Sequence, residues 1–491
     1  VYTFPSLDAF LTGTLSNFTQ VFGNTYRGFR TNFHGAFFQD DWKVTPSLTL
    51  NFGVRWEYQG GLREVNRLQS VLDPGTPGNI GVAGSGALGS FRNESPVVEG
   101  NSALFAPRLG FAWNPGQGRW VVRGGYGVFF DSLIFNGLQA GRTTPPTNYT
   151  GNLAGAQLTG ANSLANLLAG TGQLQRDLSS QVGGFGSLAN LGRIVSSLPR
   201  LRNPYVQHFS LGVQYQLDKA TVLDAAWVAT KGTALTTYGP GNSVIRRPAP
   251  ATSLADEQAR LAEFQAAIGR QNGPGNTRLD PRFNDVDLLI DNGSSIYHSL
   301  QTEFRRNFSA GLTIRGSYTW SKSIDNSSDY SPGQNPTDSN FAQDQFNLRA
   351  ERGVSNFDVP HRLVLSHVWQ IPFLKRNRYL GGWSFASINQ FQAGIPATIL
   401  AGSRLGILDI NQDGNLVQGG DNTRANCLAG PDVRLGNGPT PRFAQPLLGN
   451  NGNCGRNTFR MNRLVNWDWS LAKDFRVYER LNLEFRTDFF N

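Results

Sequence analysis

Along positions 48–58 the apolar residues Leu48, Leu50, Phe52, Val54, Trp56 and Tyr58 alternate without exception with Thr49, Asn51, Gly53, Arg55 and Glu57. A period of two is the signature of a strand with one apolar and one polar face. The alternation recurs at 105–113, where Phe105, Leu109, Phe111 and Trp113 oppose Ala106, Arg108, Gly110 and Ala112, and again in Trp120, Val122, Tyr126, Val128 and Phe130. Tyr205, Phe209, Leu211, Val213, Tyr215 and Leu217 form another such face, as do Leu300 and Phe304, and Leu312, Ile314, Tyr318 and Trp320. Near the end, Val465, Trp467, Trp469 and Leu471 are expected to pair with Leu481, Leu483, Phe485 and Phe489. Less regular strands are read at 34–42, 221–231, 361–371 and 383–392.

The connections between these runs alternate in length. Short ones fall at 43–47, 114–119, 218–220, 306–311, 372–382 and 476–480, most of them carrying Pro, Gly, Asn, Asp or basic residues. Long ones fall between them, at 59–104, 131–204, 232–295, 322–360 and 393–464. In an up-and-down sheet every second connection lies at the same end, so the short turns share one rim and the long loops the other. That asymmetry belongs to outer-membrane barrels, with short periplasmic turns and long extracellular loops. A soluble sandwich also alternates apolar and polar residues, so the loop lengths decide the class. Trp and Tyr at the ends of the apolar faces (Trp113 and Trp120 beside one short turn; Trp56, Tyr58, Tyr205, Tyr318 and Trp320 towards the loops) suit two interfacial girdles. The opposite face carries Arg55, Glu57, Arg108, Arg123, Glu303, Arg305, Arg315, Asp468, Glu484 and Arg486, a wet lumen rather than a packed core.

Composition agrees. The 491 residues include 57 Gly and 33 Phe, and only 16% are charged, which is not a disordered composition. A mean hydropathy of -0.33 and the lack of any apolar run of ~18 residues exclude transmembrane helices, but barrel strands need only ~9 to 11 residues. The net charge of +9 is spread over single Lys and Arg residues, with Lys375, Arg376 and Arg378 a rare cluster, so it predicts solvated turns and no nucleic-acid partner. No signal peptide is visible at Val1.

Within the long loops, Ser253 and Asp256 open a stretch to Gly269 in which Leu254, Leu261, Phe264 and Ile268 share a helical face, expected to pack on its own loop. Small helical turns are expected at 163–168 and 187–198.

The chemistry-bearing motifs are few. Asp409, Asn411, Asp413, Gly414 and Asn415 read as the first half of a calcium loop, but the twelfth place is Gly420 rather than Glu, with Asp421 one place late. A weak structural calcium site and a plain Asx-rich turn both stand open. Cys427 and Cys454 share this outer loop, where an oxidising environment favours a disulfide. Gly84, Gly86 and Gly89 match G-x-G-x-x-G, yet no buried strand precedes them and no helix follows. The histidines His34, His208, His298, His361 and His367 are scattered over separate strands, and no nucleophile, zincin or Walker motif occurs. No enzyme, and no cofactor beyond the calcium candidate, is expected.

Several segments resemble a known family. Phe37-Phe38-Gln39-Asp40-Asp41-Trp42-Lys43-Val44-Thr45-Pro46 with Leu48-Thr49-Leu50-Asn51-Phe52-Gly53-Val54-Arg55 looks like the barrel of TonB-dependent receptors of the Oar-like kind, which carry a carboxypeptidase-regulatory-like N-terminal domain. Residues 106–113, 123–131, 297–301, 317–325, 359–362 and 455–460 agree, in order, over nearly the whole chain. The resemblance implies an outer-membrane barrel of about 22 strands, with about 12 to 14 of them in this chain. Residues 1–491 are accordingly expected to be the C-terminal portion of such a barrel, truncated at both ends, without the plug and regulatory-like domain. It further implies the outer membrane of a Gram-negative bacterium, with membrane lipid, the TonB complex and an extracellular ligand as partners. The function expected is energised uptake of a siderophore, carbohydrate or similar ligand. The alternative is a structural or surface-adhesion barrel that transports nothing. Ligand-contacting residues are not readable.

Overall fold

The computed structural model describes residues 1–69, 71–72, 91–92, 96–133, 137–138, 140–143, 148–154, 158–173, 175, 194–245, 247–270, 278, 286–308, 311–328, 342–344, 347–372, 377, 380–414, 416–417, 420–428, 443–478 and 481–491. Twelve antiparallel strands follow one another through a single sheet in chain order. They are β1 (Phe33–Thr45), β2 (Leu48–Gln59), β3 (Asn101–Trp113), β4 (Trp120–Phe130), β5 (Tyr205–Gln216) and β6 (Thr221–Pro240), then β7 (Val286–Asn307), β8 (Leu312–Asp325), β9 (His361–Gln370), β10 (Trp383–Gln392), β11 (Leu464–Tyr478) and β12 (Leu481–Phe489). Two short strands, Ile194–Ser197 on β7 and Gly353–Val354 on β8, bring the sheet to 14. Among the described residues the sheet is open: β1 pairs only with β2, and β12 only with β11.

Register explains why the alternation is so clean. A slip by one residue would move every apolar side chain to the wet face, and the ladders hold register through the middle of the wall, shifting only near strand ends, between 43 and 45, 57 and 59, and 476 and 478, and in the upper part of the 221–240 and 286–307 hairpin, between 233 and 237. Leu50 faces Phe111, Phe52 faces Leu109 and Trp56 faces Phe105; Val122 faces both Trp113 and Val213. Leu211 faces Trp227, which faces Leu300, which faces Trp320. The result is one continuous outward apolar face. All ten charged residues assigned to the lumen fall together on the other side. Arg55 is opposite Ala106, Glu303 opposite Asp224 and Arg305 opposite Arg315. Glu303 and Arg315 form an ion pair at 2.9 Å, and Arg123 donates to Gln214 at 2.7 Å.

The short turns are built by their own residues. In the β5–β6 turn the Asp218 carboxylate accepts from the Ala220 N–H at 2.7 Å and the Thr221 hydroxyl at 3.0 Å, an Asx turn. In the β7–β8 turn Gly311 takes φ +78° with the Gln370 carbonyl close beside it, a position that favours glycine.

Three expectations are corrected. The strand read at 221–231 and the one whose apolar face carries Leu300 and Phe304 run on to 20 and 22 residues, about twice what a bilayer needs. The β6–β7 hairpin therefore stands well above the wall. The stretch 253–269 is not one helix but two, α1 (Leu254–Ala259) and α2 (Leu261–Arg270), divided at Arg260. Ser253 caps α1 by accepting from the Asp256 N–H. Leu254 is left exposed while Phe264 is buried. Finally, a helix forms at Leu164–Leu168, but 194–197 is a strand, paired in parallel with 286–289.

Candidate functional site

The long loops are packed against one another. Leu62, Val97 and Val98 from the β2–β3 loop bury against Leu138 and Leu201 from the β4–β5 loop and against Leu289 of β7. A second cluster joins Ala251 and Phe264 of the β6–β7 loop to Ile407, Ile410 and Leu448 of the β10–β11 loop. The α1–α2 stripe thus packs on a different loop, not on its own as expected. Its partners, Ile407, Ile410 and Leu448, lie more than 130 residues downstream and share no local pattern with it.

Four ion pairs tie the layer together, and each joins segments far apart in the chain. Glu257 on α1 holds Arg404 through two bonds of 2.6 Å and also accepts the Leu448 N–H at 2.8 Å. The hydrogen bond from Arg404 is the main reason that the Glu257 carboxyl lies below the ordinary carboxylate range. Glu351 pairs with Arg424 at 2.8 Å with both side chains almost wholly buried. Arg456 pairs with Asp325 at the top of β8 and donates to the Glu351 carbonyl at 2.9 Å. Arg460 pairs with Asp358. Gln343 works alongside these pairs. Its side chain accepts from the Arg424 N–H at 2.6 Å and donates to the Gly452 carbonyl at 3.0 Å, while its own carbonyl accepts from the Asn411 amide at 2.7 Å. A carboxylate desolvated to this degree is tolerated only with its partner in place, so the pairs dictate how the loops sit on one another.

The candidate residues fall within this layer. Cys427 and Cys454 are bonded to each other, with Cα atoms 5.1 Å apart. A Cβ on Gly452 would collide with the Arg424 carbonyl, so only glycine lets the two backbone segments approach beside that bridge. Asp409, Asn411 and Asp413 are buried in one turn. The Asp409 carboxylate accepts from the Asp413 N–H at 3.1 Å and the Gly414 N–H at 3.0 Å, and Asn411 accepts from the Asp413 N–H at 3.3 Å. Arg278 donates to the Gly414 carbonyl at 3.1 Å and so already brings a positive charge to this turn. Among the described residues, no group of three or more His, Cys, Asp or Glu side chains converges as a metal site. Asn415, the glycines 84, 86 and 89, and the basic cluster 375, 376 and 378 lie outside the described residues. His208 faces the lumen, 3.3 Å from the Thr230 hydroxyl, whereas His298 and His361 stack on Trp227 and Tyr318 of the outward face.

The eight ion-pair residues were not found from the sequence. Arg456 and Arg460 do lie in the 455–460 segment that carries part of the family resemblance. Their carboxylate partners, Asp325 and Asp358, are 131 and 102 residues away.

Among solved structures, the chain is similar to the outer membrane transporter YddB from Escherichia coli, at 11% identity and TM-score 0.44, covering 94% of this chain and 50% of that one. It is also similar to the siderophore receptor PirA from Acinetobacter baumannii, at 8% identity and TM-score 0.42, covering 93% and 41%. A third is the ferripyoverdine receptor of the outer membrane of Pseudomonas aeruginosa, at 9% identity and TM-score 0.40, covering 94% and 35%. The chain thus spans half the length of the first of these or less of the others, and likeness at this level carries no argument about activity. No curated protein matches it in sequence. The sequence matches the family described as the outer membrane beta barrel domain over residues 2–491, and with its outward apolar face, polar inner face and rim of long loops the chain belongs to that family, in the outer membrane of a Gram-negative bacterium.

Proposed function

We propose that the chain forms wall and ligand-facing loops of a TonB-dependent receptor of the Oar-like kind, a non-enzymatic importer of a siderophore, carbohydrate or similar ligand. The observation that carries this reading is the loop layer: the long loops of one rim are folded together by two apolar clusters and four ion pairs above a wall whose inner face is polar. A passive pore needs no such layer, whereas a receptor needs a surface held in one shape before ligand arrives. In this scheme ligand is captured by the loops together with a plug inside the barrel, and TonB, driven by the inner-membrane proton gradient, moves the plug. Calcium at Asp409, Asn411, Asp413 and Asn415 would act on that layer as a structural ion, not in transport.

The second reading, surface adhesion without transport, is favoured by the exposed Leu254, Leu405, Leu408 and Leu428 on the loops. The deciding test is uptake by cells carrying the gene, with and without TonB. Uptake that vanishes without TonB supports the receptor. Unchanged solute flux indicates a passive pore, and binding to a surface partner with no uptake indicates the adhesion barrel.

A further inference from the structure

The outward face is nearly free of charge. Among its described strand residues only Asp40, Lys231, Arg306, Lys322 and Lys473 are formally charged. Lys231 and Lys322 lie towards the loop ends of their strands, and Asp40 lies on the edge strand β1. Lys473 is buried, its ammonium held by the Gly381 and Asp474 carbonyls and the ring of Phe475. Arg306 is different. It sits at the short-turn end of β7, opposite Thr221 and Ile314, with its guanidinium 4.8 Å from the Phe308 ring centroid. Its Nε is buried and has no hydrogen-bond partner among the described residues. The Asp218 carboxylate in the neighbouring turn is engaged by the Ala220 N–H and the Thr221 hydroxyl.

Directly along the strand from Arg306 the face opens into a groove of about 620 Å³. The small residues Ala225, Thr302 and Gly316 line it with Leu223, Phe304 and Leu365, and so do Asp224 and Glu303, which pair with each other on the inward parity of their strands. A second outward groove, of about 630 Å³, runs past Phe52, whose cross-strand neighbour is the anion Asp40.

We propose that the first groove is a phospholipid site: one acyl chain lies along Ala225, Thr302 and Gly316, and the anionic headgroup phosphate meets Arg306. An acyl chain matches a slot whose exposed lining is almost wholly apolar, and a phosphate supplies a counter-charge to the half-buried Arg306 guanidinium at its end. The second groove has Asp40 as neighbour and no basic residue in its lining, so it does not share the property. The site is on the membrane face and so rests on the outward assignment of that face.

The test uses the full chain in proteoliposomes containing phosphatidylglycerol with a photoactivatable diazirine in its acyl chain, with adducts mapped by mass spectrometry. Adducts are expected to concentrate on Leu223, Thr302, Phe304 and Leu365. Arg306→Gln should lower their yield about five-fold, the factor expected for one basic side chain at an anionic lipid surface, while Arg306→Lys should retain most of it. Thr302→Trp, which fills the slot, should remove the adducts at Leu223 and Leu365 in protein that still resists protease as wild type does. Even labelling over the outward face, or a yield that Arg306→Gln leaves unchanged, overturns the site. Labelling on the inner face, at Arg123 or Gln214, would instead overturn the assignment of the membrane face itself.

Discussion

Leu211 and Ile388 are both apolar, both about half-exposed at 48% and 56%, and both in the middle of a strand, yet replacing each by Arg should have opposite consequences. Leu211 is on the outward face, between Gly124 of β4 and Trp227 of β6. On the same strand and face, Tyr215 marks one girdle and Tyr205 the other. The strand between them is ~33 Å long at ~3.3 Å per residue, a rise of ~25 Å at a tilt of about 40°, which is the height of the apolar band of a membrane barrel. Leu211 lies ~13 Å of strand above Tyr215, ~10 Å in height, and so close to the midplane. Leu211→Arg should therefore cost ~2 to 4 kcal/mol. Ile388 lies on the other face, opposite Ser366 and Asp468. There a new guanidinium stays in water and gains a cross-strand carboxylate, so Ile388→Arg should change stability by less than ~1 kcal/mol, in the favourable direction if at all. Denaturant titration of the full-length protein folded into vesicles, followed by tryptophan fluorescence and protease resistance, measures both. Equal penalties at the two positions, or a larger one at Ile388, would refute the face assignment on which the fold rests.

Other outcomes follow from the loops. Glu257→Ala leaves Arg404 and the Leu448 N–H without their acceptor and should destabilise the loop layer by ~3 to 5 kcal/mol, read as faster proteolysis near residues 399–408 with the wall intact. Because the folded Glu257 carboxyl lies below its ordinary value, the pair's contribution is complete above the unfolded carboxylate pKa of about 4.3 and is lost as pH falls through the lower folded value. Proteolysis of these loops should thus accelerate below about pH 4, and Glu257→Gln should flatten that response. Non-reducing mass spectrometry should recover the Cys427 and Cys454 peptides joined, and reduction should loosen that loop by about 3.6 kcal/mol on the chain-entropy account for a separation of 27 residues. Millimolar calcium is expected to protect residues 409–421 from protease; no protection, in wild type or in Arg278→Gln, would leave a turn held by its own hydrogen bonds and by Arg278. Intact cells treated with protease should be cut within 131–204 and 232–295 and not at 114–119, and cleavage at that short turn would invert the topology.

The wall was legible because its information is local. A strand with water on one side and lipid on the other writes a period of two into its own residues, and the ladders then carry that period across the sheet, as from Leu50 to Phe111 and from Leu211 to Trp227. Where one face mixes polarity the signal fades: β10 places Ser387 and Asn389 outward and Ile388 inward, and its sequence alone assigns no face. Ser387 and Asn389 bond each other at 2.8 Å, which lowers the cost of turning two polar side chains towards lipid. That compensation depends on side-chain geometry, to which a hydropathy pattern is blind.

The loop layer was hidden for the complementary reason. Its order comes from contacts between segments that no short window contains. Glu257 and Arg404 are 147 residues apart, Asp325 and Arg456 are 131 apart, and Glu351 and Arg424 are 73 apart. In the sequence each is one charge among many in a polar loop, where a solvated side chain is the ordinary expectation. Burial changes their meaning. Once Arg424 and Glu351 leave water, neither is tolerable without the other, and the requirement that each be paired selects one docking of the β8–β9 loop on the β10–β11 loop from the many that apolar contact alone would permit. Gln343 tightens the choice, because its one side chain serves the Arg424 N–H and the Gly452 carbonyl together. Under the proposed receptor function, a ligand entering from the loop side would therefore meet a surface whose shape is held by charge pairing. If its binding separates any of these pairs, Glu351 and Arg424 foremost, the loss must be repaid by contacts of comparable strength, which ties ligand recognition to the rearrangement of the layer that binds it.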